Sequence, residues 1–207
     1  MEDVLQVYER PYDASYPVVC LDETSRQLIK ETRPSLPPRP GTTAKIDHEY
    51  WRCGVADLFM MFEPLTGQRH VAVSQTRTRK DFAHCVKHLV DEYYPNSSKV
   101  VLVMDHLNTH AISSLYEAYE PEEALRLSER LEIHYTPKHG SWMDMAEIEI
   151  GIMNRQCLGS YTSSKEEMEY KVSCWCQKRN AQKATVNWQF TTKDARIKLK
   201  SLYPVIE

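Results

Sequence analysis

"KVVLVMDHLNTH", residues 99–110, is the stretch on which the fold turns. Five of the six residues ahead of Asp105 are apolar, a run that belongs inside a sheet. It then breaks at once into a carboxylate, two histidines and an asparagine. A buried strand that ends on a charge, with polar groups crowded behind it, has to give that charge something to do.

The rest of the chain limits what that can be. It has 207 residues, 42% hydrophobic and 27% charged, the composition of an ordinary globular protein with one sizeable core. No apolar run approaches the ~20 residues of a membrane span, and the N-terminus lacks a signal-peptide pattern. A cytoplasmic location and no membrane partner are therefore expected. The six cysteines include no CxxC pair, so they read as reduced, mostly buried thiols and not as a zinc knuckle. A net charge of −3 does not by itself suggest nucleic acid. Its distribution says more: Lys178–Lys200 holds seven basic residues and one acidic, leaving 19 basic against 28 acidic elsewhere. Such a basic end is either a phosphate-facing surface or a solvated helical face.

The element order follows from periodicity. "YPVVCLDET" (16–24) predicts a short buried strand ending in acid. Residues 32–50 contain four of the eleven prolines and exclude regular structure. Residues 51–64 and 67–75 predict a hairpin with its turn at Leu65-Thr66-Gly67. Residues 79–94 carry apolar side chains at helical spacing, and the opening strand (99–104) comes next. One or two short helices interrupted near Pro121 fill 112–130, followed by a strand over 131–137. A helix over 141–157 has Ser141 as N-cap and Asp144 three residues on, and a last helix covers 165–182. A mixed α/β sheet flanked by helices fits this order.

Ligands collect at the carboxyl ends of strands in such sheets. Asp22 is expected to end the first strand and Asp105 the central one. Glu147 is expected about two turns into the 141–157 helix. Two strand-end aspartates and a helical glutamate make an oxygen-only donor set, which suits Mg²⁺ or Mn²⁺. The ordinary alternative for each Asp is a turn or helix cap. Crowded anions repel one another until cations arrive, so Asp105→Asn is expected to stabilise the metal-free chain or leave it unchanged.

"CLDET", "MDHLNTH" and "TPKHGSWMDMAEIEI" together resemble, in order and over nearly the whole chain, the catalytic signature of DDE transposases. The match is to the bacterial insertion-sequence branch of the mariner superfamily, also called DDE superfamily endonucleases. The resemblance implies a ribonuclease H-like fold with a mixed five-stranded sheet, and Asp22, Asp105 and Glu147 as catalytic, metal-holding acids. It implies two Mg²⁺ ions (Mn²⁺ substituting) and cleavage and joining of DNA at transposon terminal inverted repeats and target DNA. His106 and Asp144 stand where relatives more often carry Asn, which bears on substrate contacts more than on chemistry. Relatives also carry an N-terminal helix-turn-helix module. This chain is expected to be a single catalytic domain without it, with a core over about 14–182, an insertion at 32–50 and a basic segment at 178–207. That insertion matches the place of a loop that clamps a second subunit, so a homodimer is expected. Two other readings stay open: a decayed or domesticated domain that binds without cutting, and a structure-specific nuclease of the same fold.

Glu149 is a rival third acid, but two residues along a helix is ~200° of rotation, so it cannot share a site with Glu147. Glu23 points to the opposite face from Asp22 and is expected to support the site or to be solvated. Asn108 is expected to cap the following helix, and His110 to approach the scissile phosphate. Lys138, His139 and the Ser141 helix terminus could hold a phosphate, as could Lys193, Arg196, Lys198 and Lys200 in the basic segment. Trp175 and Trp188 are either core or base-stacking. The pairs His84/His88 and His106/His110 lack the Glu of a zinc-hydrolase HExxH motif.

Overall fold

The computed structural model describes residues 1–33, 36–43, 49–138 and 140–203. Its centre is one five-stranded sheet: β1 (Val18–Glu31), β2 (Tyr50–Glu63), β3 (Gln68–Ser74), β4 (Val100–Met104) and β5 (Leu131–Tyr135), in spatial order β3-β2-β1-β4-β5. The β1–β2 and β2–β3 pairings are antiparallel, whereas β1–β4 and β4–β5 are parallel. This is the mixed α/β sheet expected of a ribonuclease H-like chain.

The apolar runs are long because the sheet is covered on both faces, and side-chain parity sorts each strand between two cores. Val18, Cys20, Met60, Phe62, Val101 and Val103 face one core, which contains residues of helices α1 (Glu2–Tyr8), α5 (Met145–Gln156) and α6 (Lys165–Ala181). Val19, Leu21, Phe59, Met61, Leu102 and Met104 face the other, under α2 (Arg79–His88), α3 (Ser113–Ala118) and α4 (Pro121–Glu129). The predicted break at Pro121 is real, the proline taking the first turn of α4, where its missing N–H costs nothing. The 79–94 helix changes to a π-helical turn over Leu89–Tyr93.

Several features differ from expectation. β1 does not stop near its acid but runs on to Glu31, because β2 continues to pair with it as a two-stranded ribbon. The ribbon's register shifts at Leu28/Ile29, opposite Gly54 at φ +112°. Helix α1 and Ala195 of α7 (Thr192–Lys198) belong to the first core, although sequence periodicity assigned no element to residues 1–15. Cys53 and Cys174 are exposed and Cys157 is partly so, leaving Cys20, Cys85 and Cys176 as the buried thiols. Of the 32–50 excursion, residues 36–43 form a small turn closed by an Arg39–Thr42 bridge, and 34–35 and 44–48 lie outside the described residues.

Candidate active site

The parallel register pairs Leu21 with Met104, so Asp22 and Asp105 follow as the next residues of adjacent strands. Parity turns Asp22 toward the core that holds α5. Asp22 therefore sits inside a continuing strand, while Asp105 sits where β4 ends. The third acid also arrives differently from expectation. Residues Ser141–Met143 form a 3₁₀ turn, and the N-cap of α5 is Asp144, whose side chain accepts from the Ala146 N–H. Ser141 is no helix cap, and Glu147 lies in the first turn of α5, not two turns in. The loop before it is compact: a Cβ on Gly140 would come within 2.5 Å of the Pro137 ring.

The two aspartates live in opposite environments. Burial first, and then the charges of Glu23, Asp105 and Glu147, push the Asp22 carboxyl up to about 7; the Glu23 N–H it accepts works the other way. Asp105 is held below the usual carboxylate range, chiefly by His110, whose Nδ1 lies 2.6 Å from Oδ1. His110 is wholly buried and its Nε2 lies 2.7 Å from Glu23 Oε2. Burial alone would discharge this imidazole, yet Asp105 and Glu23 raise it to about 10. Glu23 thus supports the site from the sheet's other face, through an imidazolium to Asp105. His110 consequently cannot reach a scissile phosphate. Asp144 is buried, with Oδ2 unpartnered among the described residues. Burial foremost, with the Asp22 charge adding, raises its carboxyl well above its usual value.

Among the described residues, no group of three or more His, Cys, Asp or Glu side chains is gathered as a ready metal cage. Asp105 is drawn toward His110, and mutual repulsion opposes closing three acids without a cation. The donor set still fits a hard divalent ion: the carboxylates of Asp105 and Glu147 lie close enough to Asp22 for their charges to raise it.

The remaining candidates scatter. Asp105, His106, Asn108, Lys138 and Ser141 line an open cleft of about 540 Å³. His106 stacks on Tyr135, and Asn108 caps nothing, since Ile112 is the N-cap of α3. His139 lies outside the described residues. Lys193, Arg196, Lys198 and Lys200 are exposed on or just after α7; Arg196 pairs with Glu2, and Lys198 lies over the Phe190 ring. Trp175 is core, and Trp188 packs against the same core. Glu149 is fully buried between Arg69 (3.0 Å) and Arg179 (2.6 Å). Nothing near Arg69 in sequence pointed to that cage.

A family model described as DDE superfamily endonuclease matches residues 17–169, a span that contains all three acids. The chain belongs to the DDE superfamily endonucleases. No curated protein sequence matches it. Among solved structures, this DDE superfamily chain is similar to the Mos1 transposase paired-end complex with left transposon end (TM-score 0.57, 12% identity, covering 87% of this chain and 55% of that one). It is also similar to the Mos1 mariner paired end complex with Mn (TM-score 0.53, 13% identity, 87% and 55%). The Mos1 Strand Transfer Complex is a third (TM-score 0.55, 12% identity, 87% and 54%). The DDE superfamily chain thus shares their fold and spans about half the length of those transposase chains. No helix among its described residues is long and apolar enough to cross a membrane.

Proposed function

We propose that this chain is the catalytic domain of a DNA transposase that cuts and joins strands at transposon ends. The observation that carries the reading is Asp22: a carboxyl pushed up to about 7 by burial and by three neighbouring acids. Asp22, Asp105 and Glu147 would hold two Mg²⁺ ions, with Mn²⁺ able to substitute. Bound there, such ions activate the attacking oxygen and stabilise the leaving one.

The chain's own residues do the rest. The sheet fixes Asp22 and Asp105 side by side, and the N-cap of α5 fixes Glu147 in that helix's first turn. His110 holds Asp105 by one oxygen and leaves the other for a metal. Lys138, exposed on the cleft, offers a cation to a phosphate, and the exposed lysines around α7 extend a basic surface along which a duplex could run. The Mos1 structures, solved with transposon ends, Mn or strand-transfer DNA, support DNA as substrate, with terminal repeats and target as its two forms. The working assembly in this reading is a homodimer, and a DNA substrate would place the protein at the nucleoid.

The test is nicking of a supercoiled plasmid and of a duplex carrying a transposon end, with Mg²⁺, Mn²⁺ or EDTA. Cutting should need a divalent ion and vanish in Asp22→Ala, Asp105→Ala and Glu147→Ala with circular dichroism unchanged. Metal-independent binding without cutting by the wild type would favour a domain that only holds DNA.

A further inference from the structure

Trp142 is 47% exposed, although it lies in the 3₁₀ turn that leads into the cap of α5. The preceding residue, Ser141, lines the cleft with Asp105 and Lys138. The indole is not loose. It stacks on Trp188 (ring centroids 6.2 Å apart, 18° between planes) and meets Phe190 edge-on (5.7 Å, 75°). Trp188 in turn packs on Tyr8 (5.1 Å) and donates its indole N–H to Phe190 O (2.7 Å). The Tyr8 hydroxyl donates to Met143 O (2.7 Å), tying the aromatic stack back to the same turn.

A large aromatic ring left half in water, yet held rigidly from behind, is a stacking surface prepared in advance. Bases inside a duplex already have both faces covered, so only an unpaired base can use it. Base stacking on an aromatic side chain is tolerant of sequence and strong enough to select single-stranded segments. Taking a base out of a duplex costs a few kcal/mol, least where pairing is already lost. Lys138, which lines the cleft with Ser141, supplies a cation for the neighbouring phosphate.

Resting on the reading of this cleft as a DNA-cutting site, we infer that Trp142 receives an unpaired nucleotide next to the scissile phosphate. The site then prefers ends that are frayed or carry a single-stranded overhang. In this role Trp142 is a specificity-determining residue, distinct from the three acids.

The test is fluorescence anisotropy with EDTA present, so that binding is read apart from cutting. Two probes are compared, a blunt duplex and the same duplex with a three-nucleotide overhang. The wild type should prefer the overhang. Trp142→Ala should weaken overhang binding about 5- to 150-fold and leave blunt-duplex binding within about twofold, and Trp142→Phe should recover part of the loss. A 2-aminopurine in the overhang should lose fluorescence on binding wild type and not on binding Trp142→Ala. Equal weakening on both probes, or none on either, would overturn the inference, as would a wild type indifferent to the overhang. Plasmid nicking by the wild type is scored separately, so failure of the nuclease reading and failure of the stacking role give different results.

Discussion

Two clusters of acid, on opposite faces of α5, one fully buried and one partly so, are handled in opposite ways. Glu149 is enclosed by cations from the chain itself, Arg69 on β3 and Arg179 on α6. Two residues earlier, Glu147 joins Asp22 and Asp105, where the acids reinforce one another's cost and the buried His110 is committed to Asp105 and Glu23. A buried charge must find a partner. Where the fold provides one, the acid is architecture; where it does not, the partner comes from outside. Burial alone therefore does not mark a functional acid; in the function proposed above, the missing counter-charge does.

The largest effect should come from breaking the compensated cluster. Glu149→Ala leaves Arg69 buried beside Arg179, and removing one partner of a buried pair costs about 3–5 kcal/mol. Thermal unfolding should show the loss with or without metal. Glu147→Gln should instead leave the metal-free melting temperature nearly unchanged and abolish cutting. A stable Glu149→Ala with no activity would reverse the assignment of the two glutamates.

Next in size is the contrast between the aspartates, and here the expectation from sequence is revised. Removing the Asp105 charge takes a partner from His110, so Asp105→Asn should destabilise the metal-free chain by about 1–3 kcal/mol. Relief should come from Asp22→Asn, raising its melting temperature by about 2–6 °C. The pH dependence follows from the sign of the shift. The folded Asp22 keeps its proton until about 7, whereas an unfolded Asp gives it up near pH ~4. The cost of ionising it is therefore absent below about pH 4, grows as pH rises and is complete above about 7. The stability gap between Asp22→Asn and wild type should open over that window and then level off.

Millimolar Mn²⁺ should raise the wild-type melting temperature, since a ligand of the folded state adds about 2.7 kcal/mol at a hundred times its Kd. Asp22→Asn should lose most of that gain, and Glu149→Gln should keep it wherever it remains folded. Equal Mn²⁺ shifts in wild type and Asp22→Asn would remove Asp22 from the metal site.

The smallest effect concerns a group that avoids charge altogether. Burial lowers His70 to about 4, and its ring stacks on Tyr93 at 3.6 Å. An unfolded His takes up a proton near pH ~6.5, so the neutral ring's contribution is present above that value and is lost as pH falls toward 4. His70→Gln should make acid unfolding shallower by about 1–3 kcal/mol between pH ~6.5 and ~4. An unaltered acid limb would show that the ring is already wet.

By itself the sequence determined the sheet strands and their apolar faces, and it supplied the three acids as candidates. Strand parity and helical period are local, and the motifs around Asp22, Asp105 and Glu147 carry their spacing in the chain. It also separated Glu147 from Glu149, because a rotation along a helix needs no tertiary knowledge. The tertiary structure decided everything that depends on a distant partner. Arg69 and Arg179 reach Glu149 from other elements, so no local pattern announced that cage. His110 looked like a substrate contact because its sequence neighbours are polar, yet packing under α2 seals it between Glu23 and Asp105. The cap of α5 moved from Ser141 to Asp144 because the compact Pro137–Gly140 turn delays the helix. The cost of an acid is set by its dielectric surroundings and counter-charges, and these exist only after strands far apart in sequence have met.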